Sequence, residues 1–246
     1  MLPLAHVYIS TRVTGQRSPL LILGSILPDI CTTSEQQIGR EQIHNSPKEF
    51  SEFIDKNYPV LADLGLGVRL HSHVGGGADF YSDDLEVGYA KLEGAKISRD
   101  VAHLLEIPDG DISLVLSHNF IEMAVDLHLY QNQRETWNMY NEGIERVKTE
   151  LPKVSECMGN YLKLEYPLIL EELHNLIDFL NPYNLVSKEI AIEKIALPLI
   201  KLRFHKDISK EKTLKIAGKA LDITESTYST FLNNTVVQVK RNILGA

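Results

Sequence analysis

The chain has 246 residues, of which 43% are hydrophobic and 24% charged, the composition of a folded protein with one substantial core and no disordered or low-complexity stretch. A formal net charge of −8 gives no general attraction to nucleic-acid backbones or anionic membrane surfaces, so there is no nucleic-acid signature and any phosphate-bearing partner needs a local site. Two cysteines, Cys31 and Cys157, make neither a disulfide framework nor a paired zinc ribbon, and a reducing, cytoplasmic setting is expected.

The opening MLPLAHVYISTRVTG has no basic stretch ahead of a long apolar run, so neither a leader nor a membrane span is expected. Pro3 to Val13 reads as a first helix carrying His6. Ser18 to Leu27 is apolar nearly all round and reads as a buried helix that Pro28 ends or kinks, which leaves Asp29 at its end. A polar loop from Thr32 to Ser46 delivers His44 just ahead of a helix that starts at Pro47 and stops near Tyr58. Leu61 to Val74 predicts a helix whose Gly65 and Gly67 admit a close neighbour and whose end presents His71 and His73. Three consecutive glycines then break it before Asp79.

Ile97 to Glu106 predicts a short helix, Pro108 to Asp111 a turn, and Asp111 to Tyr130 or beyond the longest helix. Amphipathic stretches follow at Val154 to Leu164, Pro167 to Leu180, Ser187 to Phe204, Lys210 to Leu221 and Tyr228 to Leu244, with a turn at Pro182 and Ser187 as an N-cap. The expected architecture is all-α, a single helical domain over 1–246. Its histidine-rich core spans about 1–130, and a helical extension over about 150–246 suits packing or self-association into a homo-oligomer.

Seven of the nine histidines lie in the first 128 residues, among the carboxylates Asp29, Asp79, Glu122 and Asp126. Imidazole nitrogen and carboxylate oxygen are the ligands zinc takes, and carboxylates can bridge two ions. The sharpest local pattern is SHNFIEMAVDLHL, in which His118, Glu122 and Asp126 recur every four residues and share one helix face. Apolar neighbours predict burial, so the row needs a cation or a hydrogen-bonded network, and both readings stay open. His6, Asp29 and His44 each have a structural reading as well, as a hydrogen-bonded, turn or loop-capping residue. His128 points off the row and, like His103, His174 and His205, is read as structural.

The segments LAHVYIS, LGSILPDI, IHNSP, GVRLHSHVGGGADFY and SHNFIE, in that order, resemble the zinc-dependent phospholipase C family, whose helical superfamily also contains zinc-dependent single-strand nucleases. The resemblance covers about residues 1–130 and implies a multi-helix bundle of that type, here with additional C-terminal helices. It also implies metal ligands at His6, Asp29, His44, His71 and Asp79, with Asp79 bridging two ions, and at His118 and Glu122 for the second position. This chain departs from the pattern in three ways. His71 and Asp79 are eight residues apart where one helical turn is usual. No histidine follows Asp79, so Asp83 or His73 would substitute. The only tryptophan is Trp137, which removes the N-terminal tryptophan ligand of the secreted enzymes and favours two zinc ions over three.

The expected activity is hydrolysis of a small-molecule or lipid phosphoester (a phosphodiesterase-type reaction) by a metal-activated water that Asp79 helps to steer. The alternatives are an HD-type metal phosphohydrolase, weakened by the absence of any His-Asp dipeptide, and a non-catalytic helical binding or scaffold protein.

Overall fold

The three- and four-residue spacing of apolar side chains is realised as a succession of helices in the computed structural model, which describes residues 3–34 and 38–245. The first half contains α1 (Pro3–Thr14), α2 (Pro19–Gly24), α3 (Ile30–Thr33), α4 (Arg40–Ile43), α5 (Pro47–Asn57), α6 (Ala62–His71), α7 (Ala78–Asp83), α8 (Tyr89–Gly94) and α9 (Ser98–Leu105). The second contains α10 (Asp111–Asn132), α11 (Arg134–Val147), α12 (Leu151–Leu162), α13 (Tyr166–Phe179), α14 (Lys188–Ala191), α15 (Leu197–Phe204), α16 (Lys210–Thr224) and α17 (Tyr228–Val239). No strand occurs among the described residues, and none of their helices is long and apolar enough to cross a membrane.

Several boundaries differ from expectation for local reasons. The helix expected over Ser18 to Leu27 is shorter: α2 ends at Gly24, and Pro28 sits after the break in the 3-10 turn Leu27–Asp29, where its missing N–H costs nothing and from which α3 follows directly. The expected loop before Pro47 contains α4, and its residues 35–37 lie outside the described residues. α6 stops at His71, so His73 lies beyond it rather than on it. Ser187 caps α14 by accepting from the Ile190 N–H, as expected.

α10 is buried over most of its length and packs against α1, α8, α9, α11 and α16, which makes it the axis around which the other helices gather. A second organising contact is the crossing of α2 and α6. A Cβ on Gly24 would lie 2.2 Å from the Leu64 carbonyl oxygen, and one on Gly67 would lie 2.6 Å from that of Leu21. Both glycines therefore let backbone meet backbone, and this crossing sets Asp29 and His71, each just beyond its glycine, side by side. Gly67→Ala should force the helices apart and lower stability by about 2 kcal/mol, read as a fall in the denaturant midpoint at unchanged slope. An unchanged midpoint would mean that the crossing has slack.

Candidate metal centre

The glycine triplet is what brings Asp79 to the end of α6. Gly75 (φ +88°) and Gly76 (φ +77°) adopt the left-handed conformation, and a Cβ on Gly77 would lie 2.5 Å from the Ser72 carbonyl oxygen. The chain reverses there, and α7 begins with Asp79 buried in its first turn. Asp79 Oδ2 lies 3.2 Å from His71 Nε2 and 2.9 Å from His44 Nε2, and Oδ1 lies 3.3 Å from His6 Nε2. The rings of His6 and His71 stack at 3.8 Å. Asp29, at the cavity edge, places Oδ1 3.9 Å from His71 Nε2. Two ligand triplets result, His6–Asp29–His71 and His44–His71–Asp79, whose donor atoms lie within 4.8 Å of one another.

Hydrogen bonds on the outer ring atoms set the chemistry of the inner ones. His71 Nδ1–H donates to the Ser25 carbonyl at 2.8 Å, and His44 Nδ1–H donates to Asn45 Oδ1 at 3.2 Å. Both rings thereby aim Nε2 at the Asp79 carboxylate, with which His44 Nε2 is hydrogen-bonded at 2.9 Å, and a cation that displaced the Nε2 proton would be ligated there. The exposed Arg40 brings Nη2 to 2.7 Å from His44 Nε2, the same atom that faces Asp79, so an ion on this nitrogen requires the guanidinium to move aside. Both nitrogens of His6 and the Nε2 of His71 are buried without a hydrogen-bond partner. Buried nitrogens left bare are costly in a metal-free protein, so the donor set fits a zinc-class ion.

The electrostatics agree with this arrangement. Burial alone would raise Asp79, but the surrounding His71, His44 and His6 hold its carboxyl well below the usual range. Burial, reinforced by His71, lowers His6 to about 4. Burial would also lower His71, yet Asp79 and Asp29 lift it above its ordinary value. One carboxylate is thus shared by three imidazoles, and His6 is the one that burial holds neutral most strongly among the shifted rings.

A second group lies alongside. Asp83 at the end of α7 and His118 and Glu122 on α10 bring donor atoms within 4.8 Å. His118 Nε2 is 3.9 Å from Asp83 Oδ2 and 3.8 Å from Glu122 Oε2, and Ser82 Oγ donates to Glu122 Oε1 at 3.0 Å. Burial and the neighbouring Asp83 push Glu122 well above the usual carboxylate range. Burial also takes His118 down to about 4. Here the outer ring atom meets no acceptor: Lys91, only 7% exposed, donates from Nζ to His118 Nδ1 at 2.9 Å. Burial lowers Lys91, while Asp83 and Glu122 act to raise it.

The four-residue row on α10 therefore has three separate jobs. His118 meets Lys91, Glu122 meets Ser82 and Asp83, and Asp126 leaves the site altogether to accept the Leu4 and Ala5 N–H groups of α1, each at 2.8 Å. His73, a candidate substitute ligand, joins neither group: its half-exposed ring points to Asp84, 3.5 Å away. The glycine turn that returns Asp79 carries His73 outward, and Asp83 occupies the inner position instead. His128 holds α10 to α16 through the Leu221 carbonyl and the Thr224 hydroxyl, a structural role.

Both groups line one cavity of about 780 Å³. Opposite the polar end, Phe120 and Met123 of α10 face Phe179, Ile195 and Leu199, so the C-terminal helices supply an apolar wall. Lys91, Arg40 and this wall had no local signature, because each reaches the site through contacts between distant helices. Comparison with family models, curated proteins and solved structures finds no match to this chain, so its chemistry is read from the site itself.

Proposed function

We propose that the chain is a metal-dependent hydrolase of phosphoesters, with zinc or a similar divalent ion held by His6, His44, His71 and Asp79 and with Asp29 beside them. The observation that carries this reading is the set of buried imidazole nitrogens of His6 and His71 without a hydrogen-bond partner, gathered around an Asp79 that lines a large cavity. The ordered segments that resemble zinc-dependent phospholipase C support it. When bound, such an ion supplies Lewis acidity, which makes a water acidic enough to attack near neutral pH and offsets charge on the phosphoryl oxygens.

The chain's own residues do the rest. Ser25 and Asn45 orient the His71 and His44 rings with Nε2 inward, so the main rearrangement an ion asks for is withdrawal of Arg40 from His44. Asp29, a quarter exposed toward the cavity, is placed to accept a proton from the attacking water. Arg40 is exposed at the rim and offers a fork of donors to a phosphate. The Phe179, Ile195 and Leu199 wall excludes water and accepts an apolar ester substituent.

The test is a panel of phosphodiesters and phosphomonoesters on zinc- or manganese-loaded protein, with metal content measured in parallel. Turnover that chelation abolishes is expected. Metal-free, inactive protein after supplementation would favour a helical binding protein instead. Leu199→Asp should lower turnover of esters with bulky apolar groups about 10-fold and spare small ones, at unchanged metal content. Equal losses on both would remove the apolar wall from substrate binding.

A further inference from the structure

We infer that Lys91 takes the place of a second metal ion: its ammonium is hydrogen-bonded to His118 beside Asp83 and Glu122, and the centre works with one divalent ion and one fixed organic cation. This rests on the proposed metal-dependent reading and narrows it, because the resemblance assigns His118 and Glu122 to a second ion.

The two groups differ at the outer nitrogen of the histidine. At His71 and His44 that atom donates to an oxygen, which leaves Nε2 as the nitrogen turned toward Asp79. At His118 it faces the Lys91 Nζ at 2.9 Å. An ammonium has donors and no acceptor, so His118 Nδ1 must be the lone pair, and the ring hydrogen sits on Nε2. That is the atom turned toward Asp83 and Glu122. It points a hydrogen, not a lone pair, at the place where an ion would sit.

Lys91 is not a passing side chain. It lies on α8, whose Gly94 packs so closely on α10 that a Cβ there would be 3.0 Å from the His118 amide nitrogen. The crossing fixes α8 at the level of His118, and the lysine is 7% exposed with its head inside the cavity. A buried ammonium needs a partner, and the one it has is the His118 Nδ1 lone pair, with Asp83 next to His118 as the nearby negative charge. A divalent ion in the same group would stand beside this fixed positive charge and be repelled. Since Lys91 lines the same cavity as Asp79, its ammonium is available to the phosphoryl oxygens of a substrate bound there.

Native mass spectrometry of protein saturated with zinc and freed of excess tests this. The natural chain should hold one ion, and Lys91→Met, which frees Asp83, His118 and Glu122, should hold two. Two ions in the natural chain, or one in the variant, would overturn the inference and leave the metal-dependent reading standing. None in either would overturn both. Should Lys91→Met fail to fold, His118→Gln on the natural chain serves: zinc content and affinity should stay within about 2-fold, whereas a loss of about 10-fold or more would show that His118 is a ligand and overturn the inference.

Discussion

Asp79→Asn is expected to remove zinc-dependent stabilisation and phosphoester hydrolysis together while leaving the helical fold in place. The carboxylate is the one group that touches all three imidazoles, so the amide both halves the available oxygen donors and places an N–H₂ among ligand nitrogens. Zinc affinity should fall by about 100-fold or more, the scale on which weaker supporting contacts already act. In the natural protein, zinc at about 100 times its dissociation constant adds about 2.7 kcal/mol to stability, visible as a raised melting temperature. The variant should show no such rise, with turnover reduced to background. A zinc-dependent shift of natural size in Asp79→Asn would detach Asp79 from the metal and send the search to the His6–Asp29–His71 triplet.

How far this site can be read from the sequence is set by which of its contacts are local. Apolar spacing locates the long elements well, both α5 and α13, which bury one face, and α1 and α10, which are buried over most of their circumference. It misses α7 and α8, which have six residues each, too few for a period to appear. It also misses α11, because Gln133 alone separates it from α10, with no glycine or proline to mark the break. Of the candidate residues, His6, Asp29, His44, His71 and Asp79 come from four of the segments that carry the resemblance, and the fold brings their donor atoms together. The glycine triplet looks like an obstacle to that grouping, and its φ angles turn out to be the means of it. Lys91 has no such cue: a lysine in a short amphipathic stretch reads as solvated until α8 is seen crossing α10.

The largest effect on stability is expected at Asp126, the residue that the four-residue pattern groups with His118 and Glu122 and the fold puts to another use. Its two carboxylate oxygens each accept one backbone N–H at the start of α1, where the helix has unpaired donors and the positive end of its dipole. Asp126→Ala would bury both donors unsatisfied and cost about 3 kcal/mol, and since α1 carries His6 one residue beyond Ala5, zinc affinity should fall as well. Asp126→Asn keeps one acceptor and should cost less, with a characteristic pH dependence. Burial pushes Asp126 up to about 7, against the pull of the two N–H donors, so the folded state keeps a proton that the unfolded chain releases near pH 4. The stability contributed by this group is therefore fully present below about pH 4 and is lost as pH rises through about 7. His6 and His118, both lowered to about 4, act in the opposite sense over much of the same window, losing stability as pH falls from about 6.5 to 4, so the natural protein alone shows a blunted slope. The difference between natural protein and Asp126→Asn isolates the carboxyl: the asparagine variant should be clearly less stable at pH 4.5 and close much of that gap by pH 8, at matched ionic strength. A gap that stays constant across that range would mean that Asp126 is ionised throughout, with the α1 donors outweighing its burial.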